Sequence, residues 1–161
     1  ELLLGWFGIN KYSLLLIGQR QNNIGADRFI NELRKNNGIN ILPRKSPLAL
    51  MYNALSENNI LALASDQDAK NSGIFVEFFG MKASTHKGAA LFHLKSKAPI
   101  IFVTLHMEST NEYFLNIQPI ITNKKSDIES ITISYTRLLE NIIIKHPEQY
   151  FWFHRRWKTK P

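Results

Sequence analysis

The chain has 161 residues, with 20 Lys and Arg against 13 Asp and Glu for a formal charge of +7, and it contains no cysteine. A hydrophobic share of 44% with 20% charged residues excludes a disordered chain, and the missing cysteine excludes disulfides, thiolate metal ligands and a cysteine nucleophile. The positive balance favours an anionic partner: nucleic acid, an acidic protein or a lipid surface.

The opening "ELLLGWFGIN" enters an apolar stretch at once and lacks an initiating Met, so the chain is expected to begin inside a domain. No run approaches the roughly 20 apolar residues that cross a bilayer. Tyr12 to Gly18, "YSLLLIG", is a continuous apolar run, as in a strand covered on both faces. Between Gly25 and Asn37, Ala26, Phe29, Ile30 and Leu33 fall at helical spacing, and Gly38 can end that helix. Ile39 to Leu42 is a short strand candidate. Ser46 and Pro47 read as N-cap and first turn of a helix whose apolar stripe is Leu48, Met51, Tyr52 and Leu55.

Ile60 to Ser65 is a further buried-type strand, followed by "DQDAKNSG" and then the strand-like Ile74 to Phe79, closed by Gly80. Thr85 can cap a helix running to about Lys97, and Ala98 to Leu105 is strand-like. Glu112 to Gln118 alternates, as in a strand paired antiparallel with a neighbour. From Ser126 to Lys145, Ile128, Ile131, Tyr135, Leu138, Leu139 and Ile142 share one helical face, and Pro147 stops the helix. Strands alternating with helices predict an α/β fold with a mixed, mostly parallel sheet flanked by helices, in a single domain spanning 1–161.

Several segments could carry chemistry. Asp66 and Asp68 follow directly on a predicted strand, where sites gather in open α/β sheets. They could orient a base, bind a cation or hold a cationic side chain; a solvated turn with Asp capping backbone N–H groups is the plainer account. Arg20, Arg28 and Arg34 offer planar forks suited to phosphate or carboxylate, although a charged helix face or a favourable helix-dipole interaction at Arg34 explains them as well. His93 shares a face with Ala89 and Ala90 and reads as a packed core histidine; His86 faces solvent. There is no nucleophile elbow, no His-x-x-x-His pair and no Gly-rich phosphate loop, so the spacing recommends no metal and no cofactor.

The close, "HPEQYFWFHRRWKTKP", runs aromatics into cations. It could stack bases and hold phosphates, or lie on an anionic membrane surface. It could also be a final strand, with Phe151 and Phe153 pointing inward, followed by a basic surface strip.

Three stretches in order resemble the bacterial lipid A biosynthesis acyltransferases, the late lauroyl/myristoyl transferase family. "RQNNIGADRFINELR" is similar to the family's Arg-Pro-x-Asn-Asn with an Asp and, seven residues on, an Arg; Asp27 and Arg34 keep that spacing, while Gln21 replaces the proline. "DQDAKNSGIFVEFFGMKASTHKGAALF" resembles the family's Asp-Gln-Asp, Gly-x-Phe-Val-x-Phe-Phe-Gly and Ala-x-Thr series, and the chain's close resembles its final signature.

The resemblance implies a glycerolipid-acyltransferase-like fold, incomplete at the N-terminus, at the cytoplasmic face of the inner membrane. It implies transfer of an acyl chain from acyl carrier protein to a hydroxyl of a lipid A precursor, without a cofactor. Glu1 then stands as the acid of a His-x-x-x-x-Asp/Glu motif whose histidine lies five positions earlier, so this stretch alone is expected to be inactive. Arg34 and Asp66 match positions linked with activity, as charge stabiliser and as holder of the site's cationic groups. Arg20, Asn23 and Asp68 are expected to bind substrate, and Arg155, Arg156 and Lys158 to dock the acidic carrier or the lipid phosphates. An anionic membrane surface is the third expected partner, and nucleic acid is not expected. The alternatives are an acyltransferase for another glycolipid, such as a phosphatidylinositol mannoside, and a non-enzymatic basic module.

Overall fold

A computed structural model describes residues 1–161, and its contacts divide the chain into two compact units, Glu1–Ala64 and Ser65–Pro161.

The first unit alternates helix and strand: α1 (Leu2–Ile9), β1 (Leu14–Gly18), α2 (Ile24–Asn36), β2 (Asn40–Pro43), α3 (Leu48–Ser56) and β3 (Ile60–Ala62). β1 lies between β2 and β3 and is parallel to both. The chain therefore steps from β1 to β2 through α2 and then returns through α3 across β1 to β3, reversing direction in the sheet. That reversal marks the carboxyl end of β1 as a crevice position, and the loop leaving it carries Arg20 and Asn23. The core is small: Leu14, Leu16 and Ile39, with Leu4, Phe7 and Ala62 packed against them. Asn23 caps α2 by accepting from Ala26 N at 2.9 Å, and Gly38 takes φ +75° just beyond the helix, as the sequence predicts. The apolar stripe of α2 is not core-facing, however. The helix buries no residue, and Phe29 and Ile24 stay 68% and 81% exposed. Pro47, not Ser46, occupies the cap position of α3, with no side-chain capping bond.

α1 approaches α2 closely through a glycine. A Cβ on Gly8 would stand 1.6 Å from the Asn37 carbonyl oxygen. Only a residue without a side chain lets the two backbones meet there.

The second unit contains β4 (Ile74–Phe78), β5 (Met81–Thr85), α4 (Gly88–Ser96), β6 (Ile101–Ser109), β7 (Glu112–Pro119) and α5 (Ile128–Lys145), with a 3-10 turn at Pro147–Gln149. Its strands form two antiparallel hairpins, β4–β5 and β6–β7. The expected mostly parallel sheet is thus corrected to three separate sheets, only the first of them parallel. β5 is an element the sequence reading lacks. Phe79 (φ 51°) and Gly80 (φ 72°) form a two-residue loop with both φ positive, the type I′ geometry that folds β5 back on β4. Thr85 consequently ends a strand and does not cap α4, which begins after Lys87. The antiparallel pairing expected of Glu112–Gln118 is present, register Phe102 to Gln118 and Leu105 to Leu115.

α5 is the spine of this unit. Asp127 and Ser130 close a reciprocal capping box at its start. It serves two clusters in succession, through the predicted Ile131 and Tyr135 and then through Leu139 and Ile143, the latter off the predicted face. Ile131 and Tyr135 pack with Ala90 and Ile120, and Ile143 packs with Phe78 and Ala83. Phe78 is fully buried, so its truncation to alanine would cost about 3–5 kcal/mol.

The closing segment is not a strand. After Gln149 it runs as turns, and Phe151 and Phe153 are 63% and 89% exposed, contrary to the inward placement expected of them. A final strand is one of the expectations for this segment, but it pairs with no other strand. No helix is long and apolar enough to cross a membrane.

Candidate functional site

In the first unit the structure brings Glu1 and Arg34 together. Glu1 sits at the N-cap position of α1, and Arg34 lies in the last turn of α2. The guanidinium donates from Nε to Oε2 at 3.0 Å and from Nη2 to Oε1 at 2.6 Å, a two-bond fork onto one carboxylate. Glu1, Leu4, Gly5, Leu33, Arg34, Asn37 and Ile39 line the shallow depression around the pair. The Arg34 hydrogen bonds hold the Glu1 carboxyl below its usual range, against partial burial, which pushes the other way. Arg34 is well covered at 16% side-chain exposure, whereas Glu1 remains 43% exposed. A carboxylate has about four acceptor positions, and Arg34 takes two. Glu1 can therefore be fixed by the arginine and still accept from another donor.

Arg20 and Asn23 occupy the loop after β1. Arg20 stands 3.7 Å from Asp27 with its own side chain exposed. Asp27 in turn accepts from Gln21 N at 2.8 Å and from Asn31 at 3.2 Å, so Gln21 is tied down through its backbone N–H. Asn23 spends its side-chain oxygen on the helix cap.

In the second unit the Asp66–Asp68 loop is strapped down by the closing segment. Tyr150 donates to Asp66 O at 3.1 Å. Asp68 N donates to His154 Nε2 at 2.9 Å, and Thr159 donates to Asp68 Oδ2 at 2.8 Å. Arg156 lies beneath, 1% exposed. It donates to Ser84 O and to Thr85 Oγ1, each at 2.6 Å, with its guanidinium carbon 5.1 Å from the centre of the Phe78 ring. Burial lowers its pKa; Tyr150, Asp68 and Asp66 act in the opposite direction. The expectation of Arg156 on a basic surface strip is therefore corrected: it is an interior cation bound to the β5 backbone. Arg155 and Lys158 are exposed.

His93 is held as a structural residue, between Ala98 O at 2.8 Å and Thr122 Oγ1 at 3.0 Å. The sequence reading passed over His106, His146 and Glu108. The His106 and His146 ring centres lie 4.1 Å apart, with the rings tilted by 30°, and His106 Nε2 meets Glu108 at 2.9 Å. His106-x-Glu108 on a strand was the only local signal; the 40-residue gap to His146 hid the rest.

A family model described as bacterial lipid A biosynthesis acyltransferase matches residues 1–159, across both units. The chain belongs to the bacterial lipid A biosynthesis acyltransferase family. Among curated relatives, it is 31% identical over 133 residues to the lipid A biosynthesis lauroyltransferase of Escherichia coli (strain K12), covering 80% of this chain and 42% of that protein. It is 30% identical over 111 residues to the palmitoleoyltransferase of the same organism, covering 67% and 36%. A more distant match, 22% over 134 residues, is the phosphatidylinositol mannoside acyltransferase of Mycolicibacterium smegmatis, covering 81% and 43%. The chain thus spans about two fifths of the length of these relatives. The fork between Glu1 and Arg34 joins two residues 33 positions apart in the sequence.

Proposed function

We propose that this chain is part of an acyltransferase that moves a fatty acyl group from the thioester of an acyl carrier protein to a hydroxyl of a lipid A precursor, at the cytoplasmic face of the inner membrane. Both compact units belong to one catalytic domain in this reading. The observation that carries it is the Glu1–Arg34 fork, within a chain matched to the family over 1–159.

The chemistry is proton relay without a covalent enzyme intermediate. The general base is an imidazole five positions ahead of Glu1, as in the family's motif. Its neutral ring takes the acceptor hydroxyl proton, and the oxygen attacks the thioester carbonyl. The tetrahedral intermediate expels the carrier's thiolate, which recovers the proton from the imidazolium. Such base catalysis contributes roughly 10²–10⁴-fold. Glu1 accepts from the ring's other N–H, which sets the tautomer and favours the imidazolium. Arg34 does not need to touch substrate in this scheme. It keeps Glu1 ionised and aimed, which makes it a positioning residue. Arg155 and Lys158, both exposed, are the cations left to attract the acidic carrier or the lipid phosphates.

The test is a transfer assay on the full-length protein with acyl-loaded carrier protein. Arg34→Lys keeps the charge but cannot form the fork, so kcat should fall at least about 10-fold, from loss of orientation. Glu1→Gln should fall further, and the double variant should be no worse than Glu1→Gln alone. Full activity in Arg34→Lys, or additive losses, would refute the coupling. Acceptance of a phosphatidylinositol mannoside in preference to a lipid A precursor would transfer the reading to the other glycolipid.

A further inference from the structure

We propose that His106, Glu108 and His146 form a binding site for a divalent metal ion of the zinc class, fastening the β6–β7 hairpin to the end of α5. The side chains come from two places in the second unit: His106 and Glu108 from β6, His146 from the residue that ends α5. One ligand atom from each lies within 4.8 Å of the others. Two imidazoles and one carboxylate are a zinc donor set, with bond lengths of about 2.0–2.2 Å and a fourth position left for water. His106 Nε2 and Glu108 Oε1 already stand 2.9 Å apart, and the His146 ring centre lies 4.1 Å from that of His106.

Three further features point to a ligand. His106 is only 7% exposed, yet its Nδ1 is buried with no hydrogen-bond partner. A buried imidazole normally satisfies both nitrogens, so this ring carries unused capacity. The register of β6 against β7 slips between Met107 and Ser109, leaving Glu108 as the unpaired residue of a bulge. Bulges of this kind re-aim a side chain, and this one delivers Glu108 to His106. Finally, the frame is pinned. Gln149, three residues beyond His146, accepts from Met107 N at 2.7 Å and donates to Met107 O at 2.8 Å. Both ligand-bearing segments are thereby held in register before any ion arrives, the preorganisation a metal site needs. The site lies outside the Glu1–Arg34 pair and does not depend on the acyl-transfer reading.

The experiment uses the purified, untagged protein, stripped with chelator and titrated with Zn²⁺ by calorimetry, and with Co²⁺ by visible absorption. One equivalent of Zn²⁺ should bind and raise the unfolding midpoint, and Co²⁺ should give the intense d–d bands of a tetrahedral site. Glu108→Gln and His146→Gln are partly exposed replacements that leave the core intact; each should weaken Zn²⁺ by at least about 10-fold. Glu112→Gln, on the neighbouring strand and outside the cluster, should bind as the parent does. No uptake, or uptake that survives both Glu108→Gln and His146→Gln, overturns the proposal. His106→Ala is not needed, so loss of folding at that buried position cannot obscure the result.

Discussion

Arg156→Ala is the sharpest test of how the closing segment works. The side chain is almost wholly buried and donates two charged hydrogen bonds, to Ser84 O and Thr85 Oγ1, over the Phe78 ring. Hydrogen bonds from a charged donor contribute about 1.5–3 kcal/mol each, and a desolvated cation–π contact about 2. Against that sum of roughly 5–8 stands the cost of burying the guanidinium, several kcal/mol, which the downward push of burial on its pKa records. The net loss expected for Arg156→Ala is about 3 kcal/mol, which also includes the stranded Ser84 carbonyl. For a unit of this size, that lowers the midpoint by about 15 °C. Thermal and urea unfolding of Arg156→Ala measure it, with Arg155→Ala and Lys158→Ala as exposed controls expected within about 0.5 kcal/mol of the parent. A loss below about 1 kcal/mol, together with a raised KM for carrier protein, would show that Arg156 acts at the surface and that the interior argument is wrong.

Gly8→Ala should cost about 1–3 kcal/mol, because its Cβ collides with the Asn37 carbonyl and α1 must move. Transfer should fall with it, since α1 carries Glu1; Gly5→Ala, with nothing within 4 Å of the new Cβ, should be neutral or slightly stabilising in paired unfolding and activity measurements. The Glu1 carboxyl is depressed by Arg34, so the pair's stabilisation is fully present above the ordinary glutamate range and is lost as pH falls through the lowered value. Midpoints followed from pH 6 downward, about 2 units across that range, should therefore drop more steeply for the parent than for Glu1→Gln; parallel curves would refute the linkage. Phe151→Ser and Phe153→Ser should leave stability within about 0.5 kcal/mol while weakening adsorption to anionic vesicles, read by co-sedimentation. Unchanged adsorption would remove these rings from membrane contact.

What the sequence made legible follows from how locally each feature is determined. β1 is recognisable because a strand with parallel neighbours on both sides is apolar throughout, and Leu14 and Leu16 are indeed core. α5 is recognisable because one face must serve two clusters over five turns. β5 escaped notice because "MKAST" is short and its turn places a phenylalanine, not Asn or Asp, at positive φ. A hydrogen bond from Phe79 N to Glu140 on α5 helps hold that turn, a tertiary contact that no local pattern records. The stripe on α2 misled for the opposite reason: periodicity reports that a face is apolar, not that anything in its own unit covers it. Within the candidate site, the motif spacing led to Glu1 and Arg34 separately, but only the fold revealed the fork.

The two arginines that matter most illustrate why residue type alone could not assign roles. Arg34 turns its fork onto an acid and remains at the edge of a depression; Arg156 turns the same fork onto a backbone carbonyl and a hydroxyl and becomes interior. The closing segment sorts its residues in the same way. His154, Arg156, Trp157 and Thr159 reach inward to Asp68 N, Ser84 O, Phe78 O and Asp68 Oδ2, while Arg155 and Lys158 face out. The Asp-Gln-Asp loop and the final signature, far apart in sequence, are therefore two halves of one device. The segment that looked built to meet a partner turns Tyr150, His154 and Thr159 onto that loop and Arg156 and Trp157 onto the β4–β5 hairpin, while Arg155, Lys158, Phe151 and Phe153 stay exposed.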